Sequence, residues 1–372
     1  MHEKNVDKVS IEEKQYVVSQ WQLIFRKLKK HRLAMVGLGV LSLFYLITIF
    51  CEFFAVSVPL KRHSKYMYAP VQRIHFFDQN GKFHLRPFVY TLQRKIDPKS
   101  LLTTYSEDRS KMYPIFLFVH GDKYRLWGLF ELDIHLVGVK GEGVLFLFGT
   151  DKLGRDFFSR IIYATRISVS IGLVGVAITF VLGCIIGGIS GYFGGQVDMV
   201  IQRLIEFLMS IPTIPFWMAL SAALPRFWPP IKVYFFITLI LSIIGWTGLA
   251  RVVRGKLISS REEDYVMAAL IAGATSRSVI LRHLLPSFLS YIIVNLTLTI
   301  PGMILGETAL SFLGLGLRPP VISWGVLLKE AQDLTIIALY PWLLIPGLFV
   351  IIFVISFNFM GDGLRDAADP YR

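Results

Sequence analysis

Between residues 259 and 286 the chain sets polar helix starters, a glycine and a proline at spacings that build a small mechanical element rather than a catalytic centre. Ser260 and Glu263 have the spacing of a capping box, in which a hydroxyl takes an orphan backbone N–H and a carboxylate reaches back. A helix is expected from Asp264 through Tyr265, Val266, Met267, Ala268 and Ala269 to Leu270, with Gly273 as the left-handed residue that ends it. Thr275 or Ser276 can open a second helix over Arg277–Leu285, which Pro286 is expected to stop. Such a helix, turn and helix admits three uses: a DNA reader, a connector resting on lipid headgroups, or a docking platform for another protein. Ala268 and Ala269 speak for the platform, because small side chains let a partner come close.

A second cluster is Gly149-Thr150-Asp151-Lys152-Leu153-Gly154-Arg155-Asp156 with Ser159 and Arg160. Thr150 or Asp151 can cap a helix, Gly154 can approach another backbone, and Arg155 and Arg160 can anchor at headgroups. Glu307 lies inside an apolar run; it is either a pore or helix-pairing residue, or a carboxylate solvated near the membrane surface. Glu206 follows Arg203 at ion-pair spacing, and Asn295 is suited to bonding across helices. Pro212, Pro215 and Pro301 interrupt helical ladders, as in segments that line a pathway. No zinc-protease, nucleophile-elbow or phosphate-loop pattern occurs, and the Gly138–Gly143 run reads as turns. His283 reads as structural, and Cys51 and Cys184 sit in apolar runs, so no metal site or disulfide framework is indicated.

The elements that must carry these residues follow from composition. Of 372 residues, 54% are hydrophobic and 17% charged, with a mean hydropathy of +0.56. That is too few charges for a soluble surface, and too apolar for disorder. The net charge of +13 avoids the apolar runs, which argues for a membrane protein and against nucleic acid as a partner. Six runs are long enough to cross about 30 Å of hydrocarbon: Leu33–Val58, Ile167–Tyr192, Leu204–Leu224, Tyr234–Val253, Phe288–Leu310 and Ile337–Met360. The first reads as a retained anchor (33–60) behind a polar segment (1–32).

Arg26, Lys27, Lys29, Lys30 and Arg32 precede the anchor, so both termini and the loop 254–287 are expected in the cytoplasm, with 61–156 outside. In that external insert, Gln79-Asn80-Gly81 and His120-Gly121-Asp122-Lys123 each read as a hairpin turn, predicting a small β-containing domain rather than a floppy basic loop.

Four stretches in order resemble the permeases of binding-protein-dependent ABC importers, in their peptide/nickel branch. Tyr265–Ala269 with Gly273 and His283-Leu284-Leu285-Pro286 is similar to that family's coupling loop. Gly149–Asp156 resembles its signature before the second span, Leu310–Gly316 with Pro319-Pro320 and Trp324-Gly325 the segment after the fifth, and Asn358 with Gly361–Asp366 and Asp369-Pro370 its C-terminus. The family's loop glutamate is Met267 here, with Glu262 and Glu263 nearby, and the insert is longer than in many members.

The resemblance implies an all-α polytopic membrane protein of six transmembrane helices with the type I ABC importer permease fold, the anchor helix being the first and the permease core covering 157–372. It implies no catalytic residue and no cofactor in this chain, ATP and magnesium being bound by a partner ATPase. The ATPase-coupling loop would comprise Asp264, Tyr265, Met267, Ala268, Ala269, Gly273, Ala274, His283 and Pro286; Gly149, Thr150, Asp151, Gly154, Arg155, Asp156, Gly314 and Gly316 would be signature residues. Glu307, Asn295 and Pro301 are pathway candidates. The implied partners are a second permease in a heterodimer, two ABC ATPases, an external binding protein and the inner-membrane bilayer. The implied cargo is an oligopeptide, dipeptide or similar small solute. Two other readings remain open: a secondary transporter driven by an ion gradient, and a membrane-anchored receptor or enzyme acting through residues 61–160.

Overall fold

The computed structural model describes residues 20–96, 98, 103–225 and 227–368. The described residues open with α1 (Gln20–Lys30), whose Ile24 and Leu28 pack on Ala34 and Ala367. Its Arg26, Lys29 and Lys30 are exposed, and α2 (Arg32–Ile49) follows. The anchor helix stops at Ile49 rather than near Val58: Phe50 leaves the helical conformation (φ −114°, ψ 36°), and only a short turn, α3 (Cys51–Phe54), follows.

Four antiparallel strands form a meander of β1 (His75–Phe77), β2 (Phe83–Ile96), β3 (Thr103–Leu126) and β4 (Phe130–Val139). The Asn80-Gly81 turn forms as expected, with Gly81 at φ 77° and Asp78 Oδ1 accepting from Asn80 N and Lys82 N. The second expected turn does not form. His120–Lys123 is a bulge inside β3, where the register shifts, and the chain reverses at Trp127-Gly128-Leu129. A Gly-Asp pair suits a bulge as well as a turn, and the pairing of Val119 with His135 and Arg125 with Glu131 decides between them.

The bundle comprises α4 (Phe157–Phe193), α5 (Gly195–Ser210), α6 (Thr213–Ala222), α7 (Pro230–Ser260), α8 (Asp264–Ile271), α9 (Leu289–Phe312), α10 (Trp324–Lys329), α11 (Leu334–Leu339) and α12 (Ile345–Ala368). Among the described residues, five segments are long and apolar enough to cross a membrane, and a sixth arises only if α5 and α6 count as one. The expected third span is therefore not a straight helix: α5 and α6 meet at 85°. Pro212 has no N–H to give and pushes Ile211 into an extended conformation (φ −84°, ψ 129°). The expected sixth span likewise begins late. Tyr340 breaks the helix before Pro341, leaving α11 separate.

The 37 residues of α4 reach about 55 Å. Its Gly187 is a close-approach site: a Cβ there would lie 2.5 Å from the Ala250 carbonyl of α7. The α4 cap is Asp156, not Thr150 or Asp151; its Oδ2 accepts from Ser159 N at 2.8 Å. The other oxygen has no hydrogen-bond partner among the described residues, and burial pushes the carboxyl up to about 6. A carboxyl raised by folding binds protons more tightly in the folded state. Its folding advantage is therefore full at acid pH and lost as pH rises to about 6. Asp156→Asn keeps a capping acceptor without the charge. It should be stabilised over wild type by up to about 3 kcal/mol near neutrality, and melting in detergent should show that gap close as pH falls toward about 4. A gap that ignores pH would refute the assignment.

Candidate functional site: an exposed helix and turn at one end of the bundle

At the end of the bundle away from the sheet, α7 runs straight through Ser260, so the capping box does not form. The apolar run of α7 propagates the helix over Ser260, and Glu263 becomes the residue before α8 without a side-chain cap. Gly273 takes φ 86°, with its N–H on the Leu270 carbonyl and the Ala274 N–H on the Ala269 carbonyl, both at 3.0 Å. Thr275 accepts from Ser278 N, as expected of a cap. The second helix then widens into a π-turn over Val279–Leu284 and passes through Pro286 to Ser287. Pro286 does not stop it, because the Leu285 N–H reaches back five residues to Ile280 and the wider turn makes room for the ring.

This element is pinned from beneath. Val266, Val279 and Leu284 are buried with Cys184 of α4, Leu249, Val253 and Leu257 of α7, and Phe288 and Ile292 at the start of α9. Its other face is open: Tyr265, Met267, Leu270 and Leu281 are exposed, and Ile271 is 86% exposed. Asp264, Ala268, Gly273 and Pro286 are exposed too, whereas Ala269, Ala274 and His283 are half-buried. Sequence reasoning missed the brace behind the element. Arg254 of α7 donates Nε and a terminal nitrogen to the two oxygens of Asp198 of α5, each at 2.5 Å, and Ser190 of α4 donates to Asp198 as well. Spacing could not reveal it, since the partners lie on different helices.

The Gly149–Arg160 stretch lies at the opposite, sheet end and is not a headgroup anchor. Arg160 is 1% exposed and donates to Asp151 and to Glu330. Arg155 donates to the same Asp151 oxygen at 2.6 Å. A guanidinium this deep needs paired carboxylates to offset its lost hydration, and they are present. Thr150 accepts from Ala69 N and its carbonyl takes the Trp342 indole, while Gly154, at φ 68°, lies so close to the His63 carbonyl that no Cβ would fit.

Glu307 of α9 is fully buried, and the hydroxyls of Ser311 and Ser323 donate to it at 2.7 Å and that of Ser168 at 3.4 Å. The solvated reading is thereby excluded, and the carboxylate ties α4, α9 and the chain before α10 together. Gly314 (φ 79°) and Gly316 turn the chain just beyond α9. Pro301 is buried in α9; Asn295 is half-buried, and its side chain makes no hydrogen bond among the described residues. Arg203 and Glu206 form an exposed pair at 2.8 Å. Asp369 and Pro370 lie outside the described residues.

A bundle of long apolar helices, holding one short exposed helix and turn on a braced end, defines a polytopic membrane component. The chain belongs to the family described as binding-protein-dependent transport system inner membrane component, whose profile matches residues 180–371. A profile for the N-terminal TM domain of oligopeptide transport permease C matches residues 19–71.

The chain is 43% identical over 224 residues to an oligopeptide transport system permease protein of Haemophilus influenzae, covering 60% of this chain and 70% of that one. It is 32% identical over 360 residues to a dipeptide transport system permease protein of Alkalihalophilus pseudofirmus, covering 96% and 92%. A methionine ABC transporter, MetNI, in an inward-facing form shares 16% identity at a TM-score of 0.43, over 56% of this chain and 97% of that one, too remote to carry an argument. The protein is thus a permease subunit of an ABC importer and not an enzyme; ATP is hydrolysed by separate subunits.

Proposed function

We propose that this permease imports oligopeptides or dipeptides, pairs with a second, different permease to enclose the pathway, and is driven by two ATPase subunits of which one grips residues 259–286. The reading places the sheet outside the cell, where a binding protein delivers cargo, and the α8 turn and both termini in the cytoplasm. Its substrate class rests on the names of the relatives. Its coupling role rests on one observation: the α8 element shows solvent an apolar face, Tyr265, Leu270 and Ile271, while Val266, Val279 and Leu284 fix it to three long helices.

A partner groove closing on that face would bury apolar area and move α7 and α9 with it. Moving such an equilibrium from 1:99 to 99:1 takes about 5.5 kcal/mol of differential binding, which a seated helix of this size can transmit. The test is co-purification of the ATPase from detergent extract. Wild type should retain it and Ile271→Asp, which changes an 86%-exposed side chain and leaves the fold alone, should lose it. Failure of wild type to recover any ATPase would defeat the proposal.

A further inference from the structure

We propose that the tip of the β3–β4 hairpin, Trp127-Gly128-Leu129-Phe130, is seated in the near leaflet of the bilayer that the helices cross, so that the sheet is a second membrane anchor. This rests on membrane embedding alone and not on cargo or ATPase docking.

The level of the membrane surface can be read from α2. Its 18 residues reach about 27 Å, close to the ~30 Å hydrocarbon thickness, so Ile49 marks the edge of the apolar layer. A charged pair stands at the same level. Arg166 donates to both oxygens of Glu52, at 2.5 and 2.6 Å, and to the carbonyls of Thr48 and Ile49, as befits the depth where headgroups and water begin.

The hairpin tip meets the anchor at that height. The Trp127 indole donates to the Ile49 carbonyl at 2.8 Å, and its ring lies 5.7 Å from Phe50. Phe118, on the same hairpin, lies 6.1 Å from Phe53. Around these contacts Phe118, Trp127, Phe130 and Leu132 are exposed, and Leu129 is 75% exposed. Tryptophan at a lipid boundary with its N–H satisfied is the usual arrangement of an aromatic belt.

The ladder sorts the polar residues away from this patch. Arg125 and Glu131 pair across the strands next to the Leu126–Phe130 pair, and neighbouring pairs face opposite ways. Backbone strain concentrates here as well. Among the described residues three non-glycine residues have positive φ, and two of them are Phe118 (55°) and Trp127 (53°). Bulky residues hold such angles where their surroundings impose them. The turn itself imposes the angle on Trp127, since Gly128 beside it also has positive φ (75°), and the contiguous apolar and aromatic surface held outward there, beside a membrane span, finds its cover in lipid.

The test uses the full chain in nanodiscs of phosphatidylcholine and phosphatidylglycerol. A nitroxide at Leu129→Cys is compared with one at Asn80→Cys on the β1–β2 turn, Cys51 and Cys184 being buried. The Leu129→Cys label should favour collision with oxygen over a water-soluble nickel complex several-fold more than the Asn80→Cys label. Equal nickel access at both sites overturns the proposal, as does a Leu129→Cys label immobilised and shielded from both agents, which would mean a protein partner. Should the label disturb folding, brominated acyl chains serve instead. They should quench wild-type fluorescence by a larger fraction than that of Trp127→Phe, and equal quenching would overturn the proposal too.

Discussion

Gly273→Val is expected to cut ATP-driven uptake at least tenfold and to release the ATPase from the permease, while Gly273→Asn retains most of both. Nothing lies within 4 Å of a Cβ built at this glycine, so no clash is involved; the effect is carried by the backbone. At φ 86° an L-residue pays roughly 1–2 kcal/mol and a β-branched one more. About 1.4 kcal/mol is a factor of ten. Asparagine visits this conformation readily, so its variant separates strain from mere loss of glycine. Relaxing the turn would also release the bonds to Leu270 and Ala269 that hold Ile271 outward. Uptake by vesicles loaded with ATP, with the ATPase quantified in the same preparation, measures both effects. Wild-type uptake by the valine variant would remove Gly273 from the coupling element.

Asp151→Ala should be the most destabilising single change at the sheet end. It leaves Arg160, almost wholly buried, with Glu330 as its remaining carboxylate, and it strips the Leu153 and Arg155 N–H groups of their acceptor. Removing one member of a buried ion cluster costs about 3–5 kcal/mol. Arg203→Ala, which breaks an exposed pair, should cost under about 1 kcal/mol. Melting in detergent and yield of folded protein compare the two. If both variants melt together, the buried cluster does not hold the start of α4.

Much of the architecture is legible because a membrane imposes long apolar runs whose positions survive any ignorance of packing. The ends of those runs are less legible. The run at Leu204–Leu224 is continuous in hydropathy, yet Pro212 folds it by 85°. The proline is visible in the sequence, whereas the angle depends on what the two halves pack against. Asn80-Gly81 announced its turn because its two residues suffice to make it; Gly121-Asp122 did not, because strand register is settled by residues on the other strand. Ser260 and Glu263 matched a capping box that the helix before them overran.

The chain by itself determined that this is a polytopic membrane protein, which family it resembles, and where a helix, a glycine turn and a second helix interrupt the spans. Those features are written in composition and in residues a few positions apart. Tertiary structure alone decided that Arg160 is buried beside Asp151 and Glu330, that three serines enclose Glu307, and that Asp198 braces Arg254 behind the α8 turn. Each joins groups on separate elements. A charge's hydration, and so its role, depends on which neighbours the fold brings within about 3 Å of it.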